Sequence, residues 1–446
     1  MVGAAISRWT MSYFAAATAW LFGAEALMAA GFGFPSADLA SPDTLVLVHM
    51  VSIGWLSTAM CGALLQFVPV LVSRPLFAEN WALPALVLLT AGLIALLCGF
   101  LALGGHLPLW LWLLPLGACL LIAGFGLIAA DVVLTVQSAK SLDASARFVL
   151  VGMASLCVTV ALGATFASQL AGYGGAAIDS VLESGVPLHA IAGLGGWLTL
   201  TAMGVSYRLL AMFMLSPDVD ERQSRVTLFV GALTLCVAVV GGLVAIEAAS
   251  GLGAVLLWAG VFGLATIALY GRDVIELYRK RKRRQLELNT QMAAYGFLSL
   301  LVAAVLGAVL AATGSFAPYA GAFAFLIAFG WLSGLVLAKL HKIVAFLTWL
   351  EAYGPVMGRA PMPRVQELVV EARAKKWFGA YFAAVWVATA LLLAGEGTLF
   401  RVAALAMAVA TGGIIHEFVR TRRLTDVAEP LRLPNGVTEP CLLHAR

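Results

Sequence analysis

The stretch HMVSIGWLSTAMCGALLQFVPVL, residues 49–71, is the first of three long hydrophobic segments that share one pattern. The second is HAIAGLGGWLTLTAMGVSYRLLAMF, residues 189–213, and the third is FAFLIAFGWLSGLVLAKLHKIVAFL, residues 323–347. The copies lie roughly 140 residues apart, and a repeat on this scale governs the architecture of the whole chain. The pattern predicts one membrane domain built three times rather than a series of unrelated spans.

A Gly-Trp pair sets the register of the three copies. Alignment on this pair brings together three sets of positions, which are Trp55, Trp197 and Trp331, then Gly62, Gly204 and Ala338, then Gln66, Arg208 and Lys342. Small residues allow helices to approach closely in a membrane. The polar set would line a polar path, bind an anion or snorkel to the interface, and we favour snorkelling.

Composition places the chain among integral membrane proteins. Hydrophobic residues make up 62% of it and charged residues only 11%. A soluble domain has roughly a quarter of its residues charged, and many apolar runs here exceed the roughly 18 residues that mark a membrane-spanning helix. The predicted fold is an all-α polytopic membrane protein, a single domain over residues 1–446. Its four-helix repeat units are predicted at roughly 1–140, 141–280 and 281–446.

About twelve membrane-spanning helices are predicted, and the second, sixth and tenth are the repeated ones. Their cores are residues 12–33, 44–73, 82–104, 108–136, 147–172, 186–215, 225–249, 252–275, 292–313, 317–349, 377–395 and 398–419.

Basic residues fall almost entirely in the loops on one side, which include the run at 279–284. By the positive-inside rule this side is cytoplasmic, so both termini are expected there. We expect a multi-pass protein of a bacterial-type inner membrane whose main partner is the lipid bilayer. Nothing in the sequence indicates binding to nucleic acid.

Two histidines carry the strongest chemical pattern. His49 and His189 begin the first two copies, near the outer ends of spans two and six, and ionisable groups inside spans are functional candidates by default. A neutral imidazole in an apolar site is a good ligand for haem iron or copper. The alternative is that each histidine only hydrogen-bonds to a neighbouring helix, and the sequence leaves both interpretations open.

The span plan and the outer histidines of spans two and six resemble the catalytic subunit of haem-copper oxidases, in particular the C-family and the bacterial nitric oxide reductases. More loosely, the chain is similar to nitric-oxide-response membrane proteins that carry haem and copper. The resemblance implies that His49 occupies the place of a low-spin haem ligand. It also implies an H-x-H motif before the Gly-Trp pair of span ten, where this chain has Phe323 and Phe325. Span seven lacks the family's His-His pair for copper.

These departures predict that the usual centre for oxygen or nitric oxide reduction is absent, because a phenyl ring cannot ligate iron. The resemblance then implies a b-type haem, or secondarily copper, held near the outer face by His49 and His189. The implied roles are electron transfer, gas sensing or respiratory-metal metabolism, with a respiratory-chain or electron-donor protein as partner. The alternative is a metal-free, transporter-like or assembly-scaffold protein, and whether the chain is an enzyme stays open.

Overall fold

The computed structural model describes residues 7–445, apart from the side chains of residues 176–178. Within that part all regular elements are helices, and twelve of them are long and apolar enough to cross a bilayer. The predicted all-α polytopic membrane fold with about twelve spans is therefore confirmed. Residues 1–6 and Arg446, which the predicted single domain includes, lie outside the described residues.

The spans are numbered α1 to α12 in chain order. Their bounds are Thr10–Ala30, Pro42–Val72, Glu79–Leu103, Leu113–Gln137, Ala144–Leu170, Asp179–Met214, Glu221–Glu247, Gly253–Arg279, Leu288–Ala312, Phe316–Val356, Glu371–Ala394 and Gly397–Arg422. The loop after α10 carries the 3₁₀ turn Val365–Leu368, and the C-terminal segment carries the short helix Glu429–Arg432.

The predicted cores are shorter than some of the helices that contain them. Helix α10 runs to Val356 rather than to residue 349, and α11 begins at Glu371 rather than at residue 377. The extra turns carry charged residues, at which a hydrophobic run stops. Their backbone hydrogen bonds nevertheless continue the helix beyond the apolar layer.

The three repeated helices share a wide turn in their middle. Helix α2 is π-helical over Met50–Ser57, α6 over Ile191–Leu200 and α10 over Leu326–Ser333. In a π-helix the N–H bonds to the carbonyl five residues back, and such segments are rare and concentrate at functional sites. Each of these three segments contacts the other two, so they meet at the centre of the bundle.

Hydroxyl side chains support the wide turns in α2 and α10. The Ser57 hydroxyl donates to the carbonyl oxygen of Ser52 at 2.7 Å, and the Ser333 hydroxyl donates to that of Ala328, also at 2.7 Å. Both acceptors lie five residues back. A hydroxyl that competes for a helix carbonyl in this way loosens the regular α-helical ladder.

The glycine before each repeated tryptophan brings the second helix of a unit against the first. A Cβ on any of these glycines would lie closer than 3.0 Å to a side-chain atom of that first helix, so only glycine fits without a shift. The pairs are Gly54 with Trp20 on α1, Gly196 with Ser155 on α5, and Gly330 with Ser299 on α9. This recurrence defines three four-helix units, α1–α4, α5–α8 and α9–α12.

The third and fourth helices of each unit also pack on each other, and α12 contacts α1, which closes the ring around α2, α6 and α10. One end of the bundle, which we call the basic end, carries loops 73–78, 138–143, 215–220 and 280–287 and the segment after Arg422. The opposite end is called the outer end. The chain returns to its start at the basic end, where the Ala445 N–H donates to the Arg8 carbonyl oxygen at 2.8 Å. The division at residues 140 and 280 stays a prediction.

Candidate functional site

A closed ring of three hydrogen bonds lies where the π-helical segments meet. The three repeated tryptophans are at most 2% exposed, and each indole N–H donates to a hydroxyl on another repeat. Trp55 donates to Ser333 at 2.8 Å, Trp197 to Ser57 at 2.9 Å, and Trp331 to Thr199 at 3.3 Å. Each acceptor lies two residues after the tryptophan of its own helix. The ring therefore has approximate threefold symmetry, and we call it the tryptophan ring.

The tryptophan ring sets α2, α6 and α10 at one common depth. An indole N–H without a partner in an apolar interior costs free energy, so each tryptophan restricts how its helix slides and rotates against its neighbours. The repeated tryptophans are evident in the sequence, but their acceptors were not predicted from it. The signal was present, because Gly-Trp-Leu is followed each time by a hydroxyl residue, Ser57, Thr199 or Ser333.

His49 is the last residue before the π-helical segment of α2. Its Nδ1 lies 2.8 Å from the Leu45 carbonyl oxygen, which fixes Nδ1 as the protonated nitrogen. The ring is half-buried, and its centroid lies 5.0 Å from that of Phe100 on α3. Nε2 has no hydrogen-bond partner among residues 7–445 and retains its lone pair.

His189 lies two residues before the π-helical segment of α6. Its Nδ1 lies 3.0 Å from the Thr159 carbonyl oxygen on α5, and its ring meets Phe166 edge to face at 5.7 Å between centroids. A Cβ on Gly163 would lie 3.1 Å from the imidazole, so glycine at this position leaves room for the ring. In the described part of the chain Nε2 of this histidine also lacks a hydrogen-bond partner.

The two predicted ligands share a chemical state. Each imidazole donates from Nδ1 to a backbone carbonyl, the outer contact that orients a histidine for binding iron or another metal through Nε2. Both histidines lie in the outer half of the bundle, His49 against Phe100 on α3 and His189 against Phe166 on α5.

The donor set fits haem better than copper. Across the described residues, no group of three or more His, Cys, Asp or Glu side chains is arranged to hold a metal ion. Copper would have to draw its remaining ligands from the protein, whereas a porphyrin supplies four nitrogens of its own and asks only for axial ligands. Imidazoles with an available Nε2 are the type of side chain that serves as such an axial ligand.

The phenylalanines at the equivalent positions of α10 serve packing. Phe325 is 6% exposed, and its ring contacts Phe329 and Phe400 with centroids 4.7 Å and 5.5 Å away. Phe323 packs on Phe316 at 5.2 Å. The third repeat thus has aromatic contacts at these two positions.

The polar set does not form a shared path in the structure. Gln66 is buried and accepts from the Ser7 N–H at 3.1 Å, so it does not snorkel as expected. Arg208 is half exposed and pairs with Asp218 at 3.2 Å, as an interfacial residue would. Lys342 forms a largely buried ion pair of 2.8 Å that satisfies its charge inside the protein, with Glu287.

Comparison with known proteins adds a fold likeness. No family model matches the sequence, and no curated protein matches it. Among solved structures the chain is similar to one from a cryo-EM study of a heme-copper terminal oxidase dimer. That alignment covers 98% of this chain and 86% of that chain, with 12% sequence identity and a TM-score of 0.49. A likeness of this degree assigns neither family nor activity, so function has to be inferred from the chain's own residues.

Proposed function

We propose that this chain is a membrane protein of oxidase subunit I-like plan that holds one b-type haem through His49 and His189 and takes part in electron transfer. The observation that carries the proposal is the matched state of the two histidines, each with Nδ1 bound to a carbonyl and Nε2 free. A haem with two axial imidazoles supplies one-electron redox chemistry when bound. An electron-donor protein of the respiratory chain would approach the outer end.

The protein's part is to orient the ligands and keep water away. Carbonyl acceptors hold each imidazole in one tautomer and raise the basicity of Nε2. The rings of Phe100 and Phe166 cover the histidines with apolar surface, which lowers the local dielectric and influences redox potential. The tryptophan ring anchors α2 and α6 just beyond the two π-helical starts, so the distance between the histidines is set by a rigid frame.

Electron transfer is favoured over gas sensing because both axial positions would be occupied by protein side chains. Binding a gas requires an open coordination position. If only His49 served as a ligand, that position would be open, and gas sensing would become the better proposal. Reduction of oxygen or nitric oxide at a haem-copper centre is not proposed, since Phe323 and Phe325 supply no ligand.

The alternative is a metal-free, transporter-like or assembly-scaffold protein. One observation favours it, a cavity at the basic end that lies beside a smaller cavity lined in part by the buried Lys339. This feature lies beyond the tryptophan ring from the histidines, so it is compatible with either proposal.

The test is an optical spectrum of the full chain purified from haem-replete cells, with haem quantified per chain. We expect a Soret band, about one haem per chain and a low-spin bis-histidine signature in electron paramagnetic resonance. His49→Leu is expected to abolish haem retention. His189→Leu is expected to lower occupancy or convert the spectrum to high spin. Metal analysis of the same sample distinguishes haem iron from copper.

His106→Leu is the matched control. This histidine also lies at the outer end, but its Nε2 is 3.0 Å from Asp43 and its side chain is half exposed. Its loss should leave the spectrum unchanged. Wild-type protein without haem would end the proposal, and so would equal haem content in the His49→Leu and wild-type proteins.

A further inference from the structure

A cavity of about 550 Å³ lies at the basic end, between the last turns of α2 and α6. This volume is within the range of ordinary ligand sites, roughly 300–1,000 Å³. Most of its wall is apolar and comes from both helices, with Phe67 and Val70 on α2 and Val205, Leu209 and Met212 on α6. We call this space the interfacial cavity.

The interfacial cavity is open at the protein surface. Three of the side chains that line it are exposed, Val70 by 50%, Met212 by 48% and Leu215 by 55%. Because these side chains belong both to the wall and to the surface, a ligand reaches the cavity without any rearrangement of the helices. The opening lies at the end of two membrane-spanning helices, where apolar side chains give way to charged ones, and this is the level of the lipid headgroups.

The three repeated helices end differently on this side. Helices α2 and α6 stop at equivalent positions, eighteen residues after their repeated tryptophans, where Ser73 and Leu215 adopt left-handed backbone conformations with φ of 52° and 53°. Helix α10 continues past the equivalent residue, Trp349, as far as Tyr353 before its final 3₁₀ turn. A left-handed residue ends an α-helix. Both α2 and α6 therefore stop at the same level, and the interfacial cavity lies between their ends.

Arg208 is the member of the repeated polar set that lines the interfacial cavity, whereas its equivalents Gln66 and Lys342 have partners inside the protein. The Arg208 side chain is 52% exposed. Its two hydrogen bonds to Asp218, of 3.2 Å and 3.5 Å, both come from Nη1. Within residues 7–445, the N–H groups of Nε and Nη2 therefore have no acceptor. A guanidinium with open donors is suited to bidentate recognition of a phosphate.

Loop 280–287 supplies a second cation. The Arg283 N–H donates to the Met214 carbonyl oxygen at 3.2 Å, which satisfies a carbonyl at the end of α6 and holds the loop beside the cavity. Lys282, the preceding residue, is exposed and lines the cavity. Its ammonium has no ion-pair or hydrogen-bond partner in the described part of the chain. An exposed, unpaired ammonium thus stands next to the apolar wall.

We propose that the interfacial cavity binds one anionic phospholipid, with its phosphate on Arg208 and Lys282 and an acyl chain along the apolar wall. Asp218 also lines the cavity and offsets one of the two cations, so the site keeps an excess of one positive charge, which matches a phosphodiester of charge −1. An exposed ion pair contributes little free energy, so a phosphate readily replaces Asp218 on the guanidinium. Basic pockets between membrane helices bind lipid headgroups in this manner. A free phosphate would leave the apolar wall uncovered.

The proposal does not depend on haem binding, because it uses other residues at the opposite end of the bundle. Arg208 lies eleven residues past Trp197, about 16 Å along a helix, towards the basic end, whereas His189 precedes that tryptophan. Failure of the haem test would leave the lipid site in place, and the reverse is also true.

The test is native mass spectrometry of the full, delipidated chain in detergent, titrated with phosphatidylglycerol or with phosphatidylcholine of the same acyl chains. Wild-type protein should bind about one phosphatidylglycerol with saturation, and roughly tenfold more tightly than phosphatidylcholine, because the choline cation cancels the charge of the headgroup. Inorganic phosphate at the same concentration should not displace the lipid, since it covers no apolar surface.

The double variant Arg208→Gln and Lys282→Gln should lose the preference for phosphatidylglycerol. Its control is the double variant Lys140→Gln and Arg284→Gln, which removes the same two types of charge from exposed positions of the basic end outside the cavity. The control should bind like wild type.

A further variant should bind more tightly, which misfolding would not produce. Asp218→Asn removes the carboxylate that competes for Arg208, and we expect its affinity for phosphatidylglycerol to rise by about two- to fivefold, the contribution of an exposed ion pair. Gel filtration verifies that each variant is folded. Equal affinity of wild type for the two lipids, displacement by inorganic phosphate, weaker binding in Asp218→Asn, or a folded Arg208→Gln and Lys282→Gln protein that binds like the control would overturn the proposal.

Discussion

The indole N–H of Trp197 donates to the hydroxyl of Ser57 at 2.9 Å, although the two residues are 140 positions apart in the chain. The separation is close to one repeat period. The contact therefore joins equivalent segments of α6 and α2, and two similar contacts close the ring through α10. Equivalent positions of the internal repeat thus hydrogen-bond to one another at the centre of the membrane domain.

The first prediction concerns the strength of the hydrogen bond between Trp197 and Ser57. A double-mutant cycle of Trp197→Phe and Ser57→Ala, measured by reversible unfolding in detergent, should give a coupling of about 0.5–1.5 kcal/mol, the usual range for interhelical hydrogen bonds in membranes. The control cycle pairs Trp197→Phe with Ser333→Ala, because Ser333 accepts from Trp55 instead. That cycle should be additive within roughly 0.5 kcal/mol. Equal coupling in the two cycles would contradict the assigned ring order.

The second prediction concerns helix approach at Gly204. A Cβ there would lie 2.2 Å from the Cβ of Phe148, so Gly204→Ala must push α6 away from α5. We expect a loss of about 1–3 kcal/mol in the free energy of unfolding, as for other overpacked cores. Gly126→Ala is the control, since nothing lies within 4 Å of its added Cβ. It should be neutral or slightly stabilising, and equal effects would show that steric contact is not the cause.

The third prediction concerns acid sensitivity of the C-terminal segment. Burial alone would raise the pKa of Asp426, but hydrogen bonds and charges from Arg420 and Arg373, each 2.6 Å away, hold it below its ordinary value of 3.8. A lowered folded-state pKa means stabilisation that is present above the unfolded value and lost as the pH falls through the folded one.

Limited proteolysis after residue 426 should therefore accelerate below about pH 4 in wild type. Asp426→Asn should show fast cleavage already at neutral pH and a smaller acid response. Glu429→Gln, an exposed carboxyl on the same segment, should behave like wild type. If Asp426→Asn and wild type were cleaved equally at neutral pH, the ion pairs would not hold the segment.

The fourth prediction concerns orientation. Reporter fusions after Arg284 should report the cytoplasm, and fusions at Glu183 the external side, because Lys and Arg dominate the basic end. Arg401 is an exception, because it is exposed near the outer end, where it donates to the carbonyl oxygens of Ala29 and Ala30. Replacing Arg401 should not reverse the topology. A cytoplasmic signal at Glu183 would reverse the assignment.

The fifth prediction concerns chemistry. The isolated chain, supplied with reduced electron donor, should show no oxygen or nitric oxide consumption above a protein-free control in electrode measurements. The reason is that Phe323 and Phe325 pack against other rings where ligands would be needed. Sustained turnover that is lost in His49→Leu would instead require a catalytic haem site.

Part of the candidate site could be predicted from sequence. His49 and His189 were found because ionisable residues are rare in apolar runs, and the tryptophan register was found because the Gly-Trp pair repeats. Ser57, Thr199 and Ser333 were missed, since a hydroxyl in a membrane helix usually bonds to its own backbone and gives no sign of a second partner.

The sequence by itself determined the number of spans, the threefold repeat and the basic end. These follow from local rules, because a helix must satisfy its own backbone hydrogen bonds in lipid and a span must match the apolar thickness. Only the tertiary structure decided that Lys339 lies between the three central helices, whereas Lys342 pairs with Glu287. The reason is that each central helix contains a π-helical segment. Its wider turn changes which residues share a face of the helix, compared with an ideal α-helix.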